Sequence, residues 1–229
     1  MQANEGKSLS IEVDGKTYLR IPIKTHVVSH TDLLTDVLKK YVLPHALPGD
    51  ILFVSEKCVA CTQSRAIPIK EVKPRPLARF LSRFVQKTPS GIGLGMPETM
   101  EMALVEIGVL RILVAAFVSA FGKLFGKRGW FYVVAGEKAR SIDGPTPYTL
   151  PPYNEYVVLG PKNPKGVASE LAAALGFPVA VVDINDLGGN ILGLSGTSLS
   201  HNLLVRILSD NPLGQASEQT PCGIIRLEG

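Results

Sequence analysis

The segment 163–182, NPKGVASELAAALGFPVAVV, limits the possible folds more than any other part of the chain. Asn163 is placed to cap a helix, Pro164 stands at its first position, and Gly176 ends it. A Val-rich apolar run, 179–182, follows at once and reads as a strand. A helix handed straight to an apolar strand needs a sheet for that strand to join, so neither an all-helical nor an all-strand fold fits.

The same alternation recurs along the chain. SLSIEVDGKTYLRIPIKTHVV holds two strands around an Asp14-Gly15 turn, a hairpin signal. HTDLLTDVLKKYV sets Leu33, Leu34, Val37, Leu38 and Tyr41 at helical spacing, with Thr31 as the cap. Pro44 and the Pro48-Gly49-Asp50 turn end that helix. A strand opens at Ile51 and runs on through Ser55, Glu56 and Lys57 into ILFVSEKCVACTQSRAIPI, which reads as extended chain. Pro76 starts a short helix with an apolar stripe of Leu77, Phe80, Leu81, Phe84 and Val85. WFYVVAG reads as a strand, SLSHNLLVRILSD as an amphipathic helix, and CGIIRL as a last strand. IDGPTPYTLPPYNEY carries too many prolines for a helix and reads as an ordered, rigid loop. The class is α+β (mixed α/β). The expectation is one domain over residues 1–229, with a smaller helical subdomain at about 76–128.

Composition narrows the function classes. The 229 residues are 45% hydrophobic and 19% charged, an ordinary globular balance. A net charge of +4 suits anionic small molecules. With no long Lys/Arg run or basic-aromatic array, no nucleic-acid partner is expected. Three cysteines and no signal peptide point to a reduced, cytoplasmic setting. Cys58 and Cys61 form a C-x-x-C without a second pair at zinc spacing, and on a strand they would face opposite sides. The region MALVEIGVLRILVAAFVSAFGKLFG is very apolar, but its longest charge-free run, 112–122, is too short to span a bilayer. It reads as a buried core helix or an oligomer face, with a membrane-surface helix as the lesser alternative. No transmembrane segment is expected.

Three carboxylates stand at strand ends or in rigid loops: Asp143 in SIDGPT, Asp186 (with Asp183) after the Val179 strand, and Glu218 in GQASEQTPCGIIR. Hard divalent cations take oxygen ligands of this kind, and strand ends let them converge from distant parts of a chain. Asp beside Gly is also ordinary turn chemistry. The glycines Gly91, Gly93 and Gly95, and those of GKLFGKRG with Lys123, Lys127 and Arg128, would let backbone amides approach a phosphate, but match no P-loop or dinucleotide fingerprint. His26, His30, His45 and His201 are scattered, and no nucleophile triad is present.

Several segments, in order, resemble the coenzyme F-420 gamma-glutamyl ligase family. PGDILFVSEKCVACTQSRAIPI is similar to its early Gly-Asp strand ending in Glu-Lys, here Glu56-Lys57. ARSIDGPT resembles its N-A-G-I-D segment, and VVLGPKNPKGVASELAAALG the L-P-x-D-P helix after it. VAVVDINDLGGN resembles V-I-I-(S/T)-D-T-x-G-R, which puts Asp186 on the family's Asp. GQASEQTPCGIIR resembles the closing G-(E/Q)-x-x-E-x-x-P strand, which puts Glu218 on its Glu. The family's Arg is missing here, where the chain reads Gly189-Asn190, its A-I-G-x-A-G stretch is not evident, and 91–129 has no counterpart.

The resemblance implies a gamma-glutamyl-ligase-like fold in an intertwined homodimer. It implies a ligase that uses GTP and Mg²⁺ or Mn²⁺ to join L-glutamate to a carboxylate of a deazaflavin, or related cofactor, through an acyl phosphate. Asp143, Asp186 and Glu218 would be catalytic and hold the metal. Lys57, Glu56 and Gly188 would lie on the nucleotide. The alternatives are a non-catalytic nucleotide- or cofactor-binding homologue, and a glutamate ligase for another acceptor such as a folate-like pterin.

Overall fold

The computed structural model describes residues 2–85, 93–127, 129–186, 188–196 and 199–228. The chain opens with strands β1 (Ser10–Val13) and β2 (Lys16–Ile23), helix α1 (Leu34–Tyr41), strand β3 (Ile51–Ser55) and helix α2 (Glu56–Thr62). Strand β4 (Ala66–Pro68) leads into helices α3 (Pro76–Ser82), α4 (Pro97–Ile107), α5 (Val109–Leu124), α6 (Trp130–Ala135) and α7 (Glu137–Arg140). Strand β5 (Tyr156–Val158), helix α8 (Pro164–Leu175), the pair β6 (Val179–Asn185) and β7 (Gly188–Ser195), helix α9 (His201–Ile207) and strand β8 (Cys222–Leu227) complete it. The mixed α+β class is as the alternation of signals implied.

The chain forms two compact units, one of residues 1–65 with 161–229 and the other of residues 66–160. In the first, six described strands form a sheet ordered β1-β2-β8-β3-β6-β7. β3 and β6 are parallel, while β8 runs antiparallel between β2 and β3. Side chains alternate across this sheet because the strand period is two. Leu52, Val54, Val179, Val181 and Ile224 enter one core with α1 and α8. Ile51, Phe53, Ala180, Val182 and Ile225 enter the other with α9. Gly223 makes room for the Phe53 ring, which would lie 2.7 Å from any added Cβ. At the sheet's end Asp50 is buried and accepts from Arg226 Nε at 2.9 Å, Arg226 Nη2 at 2.7 Å and the Leu47 amide at 2.7 Å.

The second unit joins the short pair β4–β5 to helices around a core that includes Leu94, Met100, Leu104, Ile112, Ile142 and Val157. Gly108, at φ 97°, breaks the apolar region into α4 and α5, which bend by 118°. Among the described residues, no single helix is long and apolar enough to cross a membrane.

Local signals held where short-range chemistry dominates. Asp14 and Gly15 both take positive φ, as a two-residue hairpin turn needs. Asn163 accepts from the Gly166 amide, Pro164 opens α8, and Gly176 closes it in the left-handed region. Other expectations were overturned. Thr31 does not cap α1, which starts after Leu33 with no side-chain cap. The segment after Ser55 is helix α2, not extended chain, because the Ser55 hydroxyl accepts from the Cys58 amide and turns the strand into a helix. WFYVVA is helix α6: β-propensity yields where packing on α5 decides. The region 102–126 is not one helix.

Candidate active site

The acidic end of β6 follows from burial. Val179 to Val182 are fully covered on both faces of the sheet, exposure begins at Asp183, and Asp186 emerges with its side chain 52% exposed. Asp183 does not end the strand. It lies within β6, paired with Asn190 of β7.

Asp186 is held from two directions. Its Oδ1 accepts from Lys7 Nζ at 2.7 Å and from Asn211 Nδ2 at 3.3 Å. Its amide donates to Gln215 Oε1 at 3.2 Å. Asn211 is buried, and its Nδ2 also donates to Gly214 O at 2.8 Å and to Gln215 Oε1 at 3.2 Å. The Asn211 Oδ1 is buried with no hydrogen-bond partner among the described residues. Gly214, at φ 82°, then turns the chain so that Glu218 folds back over it. A Cβ at Gly214 would sit 2.4 Å from Glu218 Cδ, and Glu218 Oε2 accepts from the Ala216 amide at 2.8 Å. Asp186 and Glu218 are thus both held to the loop 211–218 that leads into β8, Asp186 through Asn211 and Gln215 and Glu218 through Gly214 and Ala216.

The N-terminal segment is strapped to the same loop. Lys7 Nζ donates to the Asp210 carbonyl at 2.9 Å, and Asn4 Nδ2 donates to the Pro212 carbonyl at 2.9 Å and Thr220 Oγ1 at 2.8 Å. The buried Arg20 pairs with the Asp210 carboxylate. The Lys7 hydrogen bond, aided by Asn211, holds the Asp186 carboxyl below the usual carboxylate range, so it is anionic at neutral pH.

Asp143 belongs to the other unit, where its backbone bridges Val158 through two 2.9 Å hydrogen bonds. Within either unit, no three His, Cys, Asp or Glu side chains among the described residues group as a metal site. Asp186, Glu218, Gln215 and Asn211 nevertheless carry side-chain oxygens, although Lys7 and the Asn211 Nδ2 now occupy Asp186 Oδ1. One of these oxygens is unpartnered and one carboxylate is held ionised, a donor set that fits a hard divalent cation.

Of the residues expected on the nucleotide, Glu56 is buried at the start of α2, and Lys57 Nζ lies 2.8 Å from its Oε1. Gly188 has φ 142° and open space where a Cβ would be, so backbone can be approached there. Gly189 stands opposite Ile184 in the ladder. An added Cβ would meet Ile184 Cγ2 at 2.5 Å, so this hairpin leaves no room for a side chain at that position.

The glycine segments weighed as phosphate loops fare differently. Gly91 and Arg128 lie outside the described residues. Gly122 is inside α5, packed against the Trp130 ring, and forms no loop. Cys58 and Cys61 share one buried helix, and burial raises the Cys58 thiol well above its usual range and pushes Cys222 up to about 12. Such thiols are inert.

Lys7 and Asn211 carried no signal of their own in the sequence. Gln215 did, as the second residue of the closing Gly-(Glu/Gln) motif.

Fold and site together define a class: an α+β protein with ionised, oxygen-rich loops at the ends of its apolar strands. The chain belongs to the F420-0:gamma-glutamyl ligase family, whose sequence model matches residues 22–202. Membership implies a gamma-glutamyl ligase of coenzyme F-420. Asp143 and Asp186 fall inside the matched span, while Lys7 and Glu218 lie outside it. No curated protein matches the chain.

Proposed function

We propose that this chain is a GTP- and divalent-metal-dependent ligase that adds L-glutamate through an amide bond to a deazaflavin carboxylate. The observation that carries this reading is the loop that holds both Asp186 and Glu218, in a chain of a ligase family. The γ-phosphoryl group of GTP passes to the acceptor carboxylate, giving an acyl phosphate and GDP. The α-amino group of L-glutamate then attacks the acyl carbon, phosphate leaves, and the amide forms. A triphosphate meeting a carboxylate concentrates negative charge, which Mg²⁺ or Mn²⁺ supplies the charge to offset.

Asp186 and Glu218 would hold that metal. Lys57 would place a point charge on a phosphate in exchange for its contact with Glu56. Gly188 would let backbone approach the nucleotide. The resemblance adds a cytoplasmic homodimer. A second reading rests on the missing Arg: without the family's guanidinium, the chain serves another acceptor or binds nucleotide without turnover.

The test is nucleoside diphosphate release with GTP, Mn²⁺, L-glutamate and the deazaflavin precursor, comparing the wild type with Asp186→Asn. Release that needs both co-substrates and falls more than about a hundredfold in the variant is expected. An Asp186→Asn chain that binds GTP with Mn²⁺ as the wild type does would sink the metal assignment. No release alongside a nucleotide-induced thermal shift would favour the second reading.

A further inference from the structure

The unit of residues 66–160 has an apolar face that its own core does not use. Helix α5 buries Ile112, Ala115 and Gly122 on one side. Its other side is equally apolar: Leu110, Leu113, Val114, Phe117, Phe121 and Leu124 are exposed, Phe117 at 74% and Leu124 at 80%. These positions recur every three or four residues and form one stripe along the helix. Lys123 Nζ donates to the Phe84 carbonyl at 3.4 Å, which sets the exposed Phe80–Phe84 ring pair of the α3 end beside α5.

Cations lie nearby. At about 100° per residue, Arg111 and Lys123 fall roughly 120° to either side of Phe117, beside the buried side of α5, where Arg111 Nε donates to the Val134 carbonyl at 2.8 Å. Arg79 and Arg83 flank Phe80 and Phe84 and line a cleft of about 600 Å³ with Val85 and Pro97. The unit 66–160 carries 12 Lys and Arg against 7 Asp and Glu, whereas the rest of the chain carries 12 against 13. The protein's excess positive charge is therefore confined to the unit with the apolar face.

We propose that this face docks on an anionic lipid bilayer, with α5 lying in the interfacial plane. Two phenylalanines and three leucines in the stripe, with basic side chains nearby, are the composition of an interfacial helix. The long stems of the exposed Arg79 and Arg83, beside the Phe80–Phe84 pair, let their charges reach headgroups while the stripe is buried. α5 alone is too short to span: 16 residues rise about 24 Å, short of a roughly 30 Å hydrocarbon core. The 118° bend at Gly108 prevents α4 from extending the helix. A second copy is the competing occupant. A two-fold pairing would set these cations against their own copies, whereas an anionic surface complements them.

The full chain is mixed with vesicles of phosphatidylcholine alone or with phosphatidylserine, and co-sedimentation is read. Expected is binding at least about tenfold stronger to the phosphatidylserine vesicles. Phe117→Ser with Leu124→Ser should abolish binding with an unchanged melting temperature, and Arg83→Glu should weaken it roughly fivefold or more. No binding to either vesicle, or equal binding to both, overturns the proposal. So does a lipid-free dimer, seen by sedimentation, that Phe117→Ser splits, since the second copy would then own the face. None of these readings depends on ligase activity.

Discussion

In the sheet unit, β3, β6 and β8 alternate their side chains between two cores, and α1, α8 and α9 each lay one apolar side against them. In the helical unit, α5 has two apolar sides and the unit's own core takes one. The lesson is that apolar periodicity reports how many faces can be buried, not how many the chain itself buries. Charge divides in the same sense: the sheet unit places carboxylates in hydrogen-bonded loops, and the helical unit presents exposed cations.

The largest expected effect on this contrast is chemical. Asp186→Asn should abolish nucleoside diphosphate release, while substitutions along the α5 stripe should leave it unchanged in the same assay. Next is the same substitution made in both units. Phe53→Ala, at 1% exposure over Gly223, should cost about 4 kcal/mol. Phe117→Ala should change stability by less than about 0.5 kcal/mol. Equal costs by denaturant unfolding would break the distinction between a used and an unused apolar face.

Buried ion pairs sharpen it further. Asp50→Asn strands Arg226 and should cost about 3 kcal/mol. Glu101→Gln, whose partner Arg75 is 47% exposed, should cost less, about 1–2 kcal/mol. Urea midpoints of the two variants decide the order.

A smaller effect depends on pH. The Ser29 amide, aided by His26 and the Ser29 hydroxyl, holds the Asp32 carboxyl below its usual range. A depressed carboxyl adds stability above the unfolded value of about 3.9 and loses it as pH falls through the folded value. Asp32→Asn should therefore cost about 1 kcal/mol or less at pH 6, with the gap closing below pH 3. Stability measured at both pH values checks the sign. Least of all, native Cys58 and Cys222 should resist iodoacetamide at pH 8 and react once the chain is unfolded.

Much of the sheet unit was legible before its structure. The hairpin at Asp14-Gly15, the bracketed helix α8 and the final strand β8 rest on chemistry within a few residues of chain. Helix α6 was not legible, because Trp130, Phe131, Tyr132 and the following valines favour strand locally and only packing reverses that. Helix α2 was missed because one hydroxyl, that of Ser55, changes the path of an otherwise strand-like run. At the site, Asp186 and Glu218 were visible through their motifs. The cation on Asp186 was not, since Lys7 is 179 residues away in sequence.

By itself, the sequence determined the α+β class, several strand and helix starts, the family and the acidic candidates. Caps, turns and motif spacing act within a few residues and need no partner. Only the tertiary structure decided that Lys7, Asn211 and Gln215 meet Asp186, that Gly189 has no room for a side chain, and which side of α5 faces outward. Each of these depends on contacts between segments far apart in the chain, which local periodicity does not encode.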